Sequence, residues 1–149
     1  MSDQEGQTPR PLQDKAAGPE GRKPLVLVVD DMPDNTYVLR LFLEENGYEV
    51  MEATDAHQAL TLARERKPDI AICDVIMPVM LGWELCQKLK LTCAPKYLPV
   101  IMLTSKSAEL DEIRSYESSA DAHFTKPPNI PALVEAIDRL LRAHARTAD

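Results

Sequence analysis

The chain has 149 residues, a formal net charge of −7, a hydrophobic fraction of 44% and a charged fraction of 28%. This length suits one domain with an ordinary core, and no apolar stretch approaches the roughly 20 residues that span a membrane. Nucleic-acid phosphates are bound by clustered Lys and Arg, so an acidic domain is a poor nucleic-acid binder. Basic residues do gather near the end, at Arg139, Arg142 and Arg146, but we interpret them as a solvated helix face. We therefore expect a cytoplasmic protein without membrane insertion and without direct nucleic-acid binding.

Residues 1–23 are polar, rich in Gly, Pro and Gln, and without apolar periodicity. They carry four acidic and four basic side chains, so the whole net charge belongs to residues 24–149. A segment of this composition buries too little apolar surface to offset its chain entropy. The sequence predicts a disordered leader at 1–23 and a single domain at 24–149.

After the leader, short apolar runs alternate with segments whose apolar residues recur at helical spacing. Strands are predicted at 25–29, 48–53, 70–74, 99–103 and 121–125. Helices are predicted at about 34–46, 56–66, 80–91, 107–117 and 129–145. The first, third and fourth strands are nearly continuous apolar runs, which is typical of strands covered on both faces.

Local signals mark some helix ends. Asn46-Gly47 is a C-cap signal after the first helix, and Asp55 with Gln58 resembles a capping box before the second. Five strands that are each followed by a helix form a (βα)5 order. Right-handed crossovers then require a doubly wound α/β fold, in which a five-stranded parallel sheet carries helices on both faces.

Polar residues follow four of the five predicted strands. They are Asp30 and Asp31 after the first, Asp74 at the end of the third, Thr104 after the fourth and Lys126 after the fifth. Ligand sites in parallel sheets lie at the carboxyl ends of the strands. We therefore expect these five residues to share one pocket at that edge.

Three carboxylates in one pocket repel one another, at roughly 4 kcal/mol per pair for a separation of about 4 Å and an effective dielectric near 20. Raised pKa values, a bound cation or Lys126 would relieve this repulsion. Oxygen ligands suit a hard cation such as Mg2+. An Asp oxygen is also a nucleophile toward phosphorus, and Thr104 and Lys126 would then bind the other phosphoryl oxygens.

Four motifs together resemble one known family. They are Val28-Val29-Asp30-Asp31, Asp74-Val75-Ile76-Met77-Pro78 with Gly82, Thr104-Ser105, and Thr125-Lys126-Pro127. Their order and spacing resemble the receiver domains of two-component response regulators, over about residues 24–145. The resemblance implies the CheY-like, flavodoxin-like version of the fold.

The resemblance also implies a phosphoacceptor and a metal site. Asp74 would take a phosphoryl group from a phosphohistidine of a sensor histidine kinase or a histidine phosphotransfer protein. Asp30, Asp31 and Asp74, together with the backbone carbonyl of Ile76, would bind Mg2+. The chain would catalyse only its own phosphorylation and dephosphorylation.

A conformational switch is implied as well. Thr104 matches the family's switch hydroxyl, His123 its rotating aromatic position, and Lys126 the ion-pair partner of the phosphoryl group. The changed surface would contact a downstream protein target. The bond before Pro127 is often cis in this family.

Structural explanations remain open for the same residues. Asp30 or Asp31 alone would serve as a cap for the first helix. Thr104 would serve as a strand-end residue, Lys126 as a surface charge and His123 as a half-buried packing residue. The three cysteines, Cys73, Cys86 and Cys93, are predicted to be buried small hydrophobes, although Cys73 beside Asp74 is a candidate redox group.

The sequence predicts a stand-alone receiver, because it stops soon after the fifth predicted helix. Two other functions remain open. One is a docking module that keeps the fold but is not phosphorylated. The other is a small Mg2+-dependent phosphohydrolase with an Asp nucleophile. Such enzymes usually place a second acid two residues after the nucleophile, where this chain has Ile76.

Overall fold

The structure is a computed structural model that describes residues 22–74, 82–104 and 120–148. The predicted leader lies almost wholly outside these residues, and the helix predicted at 107–117 lies wholly outside them. The strands are β1 (Leu25–Val29), β2 (Glu49–Ala53), β3 (Ile70–Asp74), β4 (Val100–Thr104) and β5 (Ala122–Thr125). The helices are α1 (Pro33–Glu45), α2 (Ala56–Glu65), α3 (Gly82–Cys93) and α4 (Ile130–Ala148).

The five strands form one parallel sheet in the order β2-β1-β3-β4-β5. This confirms the predicted doubly wound fold, and the predicted strand ends agree with the structure to within one residue. The strand order reverses between β1 and β3, so these two neighbours leave a crevice at their carboxyl ends. Asp30 follows β1 and Asp74 ends β3, at that crevice.

Alternate side chains of each central strand enter two separate cores. Leu25, Leu27 and Val29 of β1 pack with α2 and α3, whereas Val26 and Val28 pack with α1 and α4. All five are at most 2% exposed. Since each large apolar side chain contributes about 1.5–3 kcal/mol when buried, a continuous apolar strand stabilises both faces at once.

The end of α1 confirms the predicted C-cap. Gly47 has a φ of 93°, a left-handed conformation that glycine adopts without strain. The Gly47 N–H donates to the Glu44 carbonyl at 3.1 Å, and the Tyr48 N–H donates to the Leu43 carbonyl at 3.2 Å. These two bonds form a Schellman motif, which turns the chain from α1 into β2 and buries Tyr48.

The start of α2 confirms the predicted cap. The Gln58 N–H donates to Asp55 Oδ1 at 2.7 Å. The Gln58 side chain reaches back in turn, and its Oε1 accepts the Thr54 N–H at 2.7 Å. This pair of bonds is the capping box expected from the sequence, except that Gln58 accepts the N–H of Thr54 and not that of the N-cap residue Asp55.

All three cysteines are buried, as predicted, and none of them forms a disulfide within the described residues. Burial raises the pKa of the Cys73 thiol far above its usual range, and the neighbouring Cys86 and Asp74 raise it further. Burial raises the pKa of Cys86 to about 11. Because the thiolate is the reactive form, these values disfavour a redox role for Cys73.

The buried carboxylate of Asp69 and the partly buried carboxylate of Asp121 hold the strands at the edge opposite the crevice. Asp69 accepts the Leu25 N–H at 2.7 Å and the Lys96 ammonium at 2.7 Å. Asp121 accepts the Val100 N–H at 2.8 Å and the Lys90 ammonium at 3.1 Å. These bonds set where β1 and β4 begin, and hence the level at which they end.

Among the described helices, none has both the length and the apolar character needed to cross a membrane.

The Asp69 contacts lead to a stability prediction. Replacing Asp69 with Ala leaves the buried Leu25 N–H without an acceptor and Lys96 without its partner. We expect the free energy of unfolding to fall by about 1–3 kcal/mol, measured by urea denaturation. The control is Glu49→Ala, which removes an exposed ion pair with Arg66 and should cost less than about 1 kcal/mol. Equal losses in the two variants would contradict this role of Asp69.

Candidate functional site

Three carboxylates meet at the carboxyl edge of the sheet. One oxygen from each of Asp30, Asp31 and Asp74 lies within 4.8 Å of the other two. The β1–β3 register pairs Val29 with Cys73, so the next residues along, Asp30 and Asp74, are brought side by side. Asp30 and Asp74 are only 1% and 7% exposed, whereas Asp31 is exposed.

Lys126 lies between two of these acids. Its Nζ is 2.7 Å from Asp30 Oδ2 and 3.3 Å from Asp74 Oδ2. The Lys126 N–H donates to the Thr104 carbonyl at 2.7 Å, which continues the β4–β5 pairing into the pocket. The Lys126–Pro127 peptide bond is cis. The lysine therefore enters the acidic pocket and is not a free surface charge.

The charge on Lys126 is stabilised by the pocket. Burial on its own lowers the pKa of an ammonium group, but the hydrogen bond to Asp30 and the charges of Asp74 and Asp30 outweigh this effect. The pKa of Lys126 is therefore raised above 10.5. A permanent cation balances part of the negative charge of the three carboxylates.

Asp30 has two further partners besides Lys126. Its Oδ1 accepts the Met32 N–H at 2.9 Å, and its Oδ2 accepts the side-chain amide of Asn35 at 3.2 Å. Met32 is the N-cap of α1, and no side chain caps that helix. The interpretation of Asp30 or Asp31 as a helix cap is therefore wrong. The Asn35 contact is not predicted by the sequence analysis. The available signal is that Asn35 lies five residues after Asp30, in the first turn of the predicted helix.

The two predicted switch residues lie on neighbouring strands. Thr104 is 5% exposed, and its Oγ1 is 3.5 Å from the Phe124 carbonyl, at the outer limit of a hydrogen bond. His123 is half-buried beside Met102 on β4, and its Nε2 has no hydrogen-bond partner among the described residues. Ile76, predicted as a carbonyl ligand, lies outside the described residues.

The donor set fits Mg2+. Among the residues that the structure describes, the side-chain ligands of this cluster are all carboxylate oxygens, which hard cations prefer, with no nitrogen or sulfur ligand. Mg2+ usually keeps several waters and takes one or two protein carboxylates, which agrees with an open side at the exposed Asp31. When bound by Asp30, Asp31 and Asp74, the ion would supply positive charge to a transferring phosphoryl group.

An apolar groove adjoins the pocket. A cavity of about 410 Å3 lies between α1 and the segment after β5, and Lys126 and Asn35 form its polar part. Its apolar lining includes Val38, Phe42 and Pro127. Val38 and Phe42 are 48% and 40% exposed, so the groove continues into an exposed apolar face of α1.

Comparison with known proteins assigns the chain to a family. The family model of the response regulator receiver domain matches residues 26–138. The chain belongs to this family. Receiver domains are signalling modules that bind Mg2+ at an acidic pocket and interact with histidine kinases and downstream targets. This confirms the resemblance seen in the four motifs.

Individual relatives agree with this assignment. The chain is 32% identical to the protein PilH of Pseudomonas aeruginosa over 116 residues, which covers 78% of this chain and 96% of PilH. It is 36% identical over 119 residues to the probable transcriptional regulator ycf29 of Cyanophora paradoxa, covering 80% of this chain but 57% of that protein. The receiver is thus found in relatives of different length.

A solved structure supports the fold. The chain superimposes on a CheY-like response regulator receiver domain protein from Methanospirillum hungatei with a TM-score of 0.74 and 30% identity. The match covers 84% of this chain and 98% of that structure. The predicted CheY-like, flavodoxin-like architecture is therefore confirmed.

The position of Lys126 leads to a second prediction. In Lys126→Met, Asp30 and Asp74 lose their shared cation, and we expect the free energy of unfolding to fall by about 1–3 kcal/mol. Added Mg2+ should stabilise this variant more than the wild type, because the ion replaces the missing charge. Both effects are measured by urea denaturation with and without Mg2+.

The control for Lys126→Met is Lys96→Met. This variant removes a lysine from the opposite edge of the sheet, so Mg2+ should not restore its stability. Because the folded pKa of Lys126 is raised, its contribution is complete below pH 10.5 and is lost as the pH rises through the folded pKa. If Mg2+ stabilised Lys126→Met and Lys96→Met equally, Lys126 would not be the cation that balances the carboxylates of the pocket.

Proposed function

We propose that this chain accepts a phosphoryl group from a phosphohistidine onto Asp74, with Mg2+, and thereby switches a protein-interaction surface. The observation that carries the proposal is the grouping of Asp74 with two further carboxylates and a lysine at one crevice. Acids alone would bind a cation, and a lysine alone would bind an anion. Their combination suits a phosphoryl group that needs both.

The proposed transfer uses one oxygen of Asp74 as the nucleophile. That oxygen forms a bond to phosphorus, the phosphorus–nitrogen bond to the donor imidazole breaks, and the electron pair returns to the imidazole ring. Asp30 and Asp31 would hold Mg2+ together with Asp74, and Lys126 turns from Asp74 toward a phosphoryl oxygen. The product is an aspartyl phosphate at position 74.

The switch is proposed to start at Thr104. A phosphoryl group adds a charge of about −1.5 to −2 and three acceptor oxygens. The Thr104 hydroxyl gives up little when it leaves the Phe124 carbonyl, because that contact is already 3.5 Å long. His123, which precedes Phe124 on β5, would then move inward. The result is a population shift toward a surface that binds the downstream target.

The phosphoacceptor is tested by Asp74→Asn. This variant keeps the shape of the side chain but lacks the nucleophilic carboxylate, so acetyl phosphate with Mg2+ should label it at background level. Labelling is measured by radioactivity, with acetyl phosphate whose phosphorus is radioactive, or by the intact mass of the protein. Asp69→Asn is the matched control, because it alters another buried Asp at the far edge of the sheet and should still be labelled. Labelling of Asp74→Asn equal to the wild type would defeat the assignment.

The proposed donor is a sensor histidine kinase or a histidine phosphotransfer protein. Its imidazole must approach Asp74 closely, so its surface must cover the rim of the pocket. Exposed apolar patches next to a reactive site mark interaction surfaces. The exposed face of α1, with Val38 and Phe42 beside the groove, is the described apolar surface that adjoins the pocket.

This docking face is tested by Phe42→Ala. Phosphotransfer from a protein donor should fall by about 10-fold or more, as expected for an aromatic anchor of an interface. Labelling by acetyl phosphate should fall far less, since a small donor needs no docking surface. Leu91→Ala, which alters an exposed side chain of α3 on the other face of the sheet, should lower neither rate. Equal loss with both donors would contradict docking at α1.

We propose that the chain acts as a single receiver in the cytoplasm, and that its output passes through protein contacts. The match to PilH, which covers 96% of that protein, supports a receiver without an appended output domain. The phosphohydrolase alternative predicts multiple turnover on a phosphorylated small molecule. The docking-module alternative predicts that the wild type is not labelled at all.

A further inference from the structure

Asp30 is held by three donors of different kinds. The Met32 backbone N–H occupies Oδ1, whereas Lys126 Nζ and the Asn35 amide both donate to Oδ2. Asp30 is 1% exposed, so water contributes little to holding its carboxylate. A buried carboxylate keeps its orientation through such hydrogen bonds.

The two donors to Asp30 Oδ2 differ in whether they are expected to move during phosphorylation. Lys126 also contacts Asp74 at 3.3 Å, and under the proposed function it turns toward the phosphoryl group. Asn35 has no such second task in the described contacts. Its backbone N–H donates to the Met32 carbonyl at 3.0 Å, which places it in the first turn of α1. Asn35 is therefore the donor that stays with Oδ2 when Lys126 leaves.

We propose that Asn35 is a positioning residue of the cation site. Its amide holds Asp30 Oδ2 so that the carboxylate keeps the orientation that Mg2+ requires, independently of where Lys126 points. Asn35 does not bind the ion in this proposal; it acts through Asp30. The inference rests on the proposed function, because it assumes that Asp30 is a ligand of Mg2+.

The neutral amide makes a specific kind of contribution. Asn35 adds no charge, so its loss does not change the net attraction of the pocket for a divalent ion. Mg2+ requires nearly ideal octahedral geometry, whereas Ca2+ accepts irregular arrangements. Loss of a positioning contact should therefore weaken Mg2+ binding more than Ca2+ binding. A general loss of stability would weaken both.

The test is Asn35→Ala in the unphosphorylated full chain, titrated with Mg2+ and separately with Ca2+ by calorimetry. We expect the dissociation constant for Mg2+ to rise about 10-fold, the lower end of the effect of removing a hydrogen bond from a metal-ligating group. The dissociation constant for Ca2+ should change much less.

The matched control is Asn46→Ala. Asn46 lies just after α1, and its side-chain amide donates to the Phe42 carbonyl at 2.8 Å, far from the pocket along the helix. It should bind both ions like the wild type, and urea denaturation of both variants measures any common loss of stability.

The outcomes separate this inference from the proposed function. If the wild type is labelled with Mg2+ and Asn35→Ala binds Mg2+ equally well, only the role of Asn35 is overturned. Equal weakening of Mg2+ and Ca2+ binding in Asn35→Ala also overturns positioning. If the wild type binds no Mg2+ and is not labelled, both proposals fail together.

Discussion

The contact on which the site depends is the ammonium group of Lys126, placed between Asp30 and Asp74. Without a cation in that place, two nearly buried carboxylates would face each other across the crevice. The lysine stabilises that arrangement through ion pairs, and these can be exchanged for other partners. A metal ion bound by Asp30 would replace Lys126 as the partner of that carboxylate, and a phosphoryl group on Asp74 would attract the ammonium group. The pocket is thus stable in one state and ready for another.

The rest of the fold brings these charges to one level. Asp30 leaves β1, Asp74 ends β3, and Lys126 follows β5, so three strands must end together. Parallel pairing supplies part of this alignment. The buried Asp69 and the partly buried Asp121 supply another part, because each accepts the backbone N–H of the first residue of a strand. Chemistry at one edge of the sheet therefore depends on hydrogen bonds at the other.

Much of this could be predicted from the sequence. Continuous apolar runs indicated strands buried on both faces, and Asn46-Gly47 and Asp55 with Gln58 marked helix ends that the structure contains. The convergence of Asp30, Asp74 and Lys126 followed from strand order alone, since residues after parallel strands meet at one edge. These signals are local in the sequence or follow from topology.

The contacts that escaped prediction are side-chain bonds between distant parts of the chain. Asp69 meets Leu25 across 44 positions, and Asp121 meets Val100 across 21. Which backbone N–H each carboxylate reaches depends on rotamer and register, and the sequence pattern contains neither. Asn35 was overlooked for another reason. A polar residue in the first turn of a helix is common, and only its 3.2 Å contact with Asp30 distinguishes it.

The central claim is that Asp74, among the three acids of the pocket, carries the phosphoryl group. The most direct measurement is borohydride reduction of the acetyl phosphate-treated wild type, followed by peptide mass spectrometry. Reduction converts an aspartyl phosphate to homoserine and leaves free carboxylates unchanged. We predict homoserine at position 74 only when Mg2+ is present. Homoserine at position 30 or 31, or at none of the three, would contradict the account.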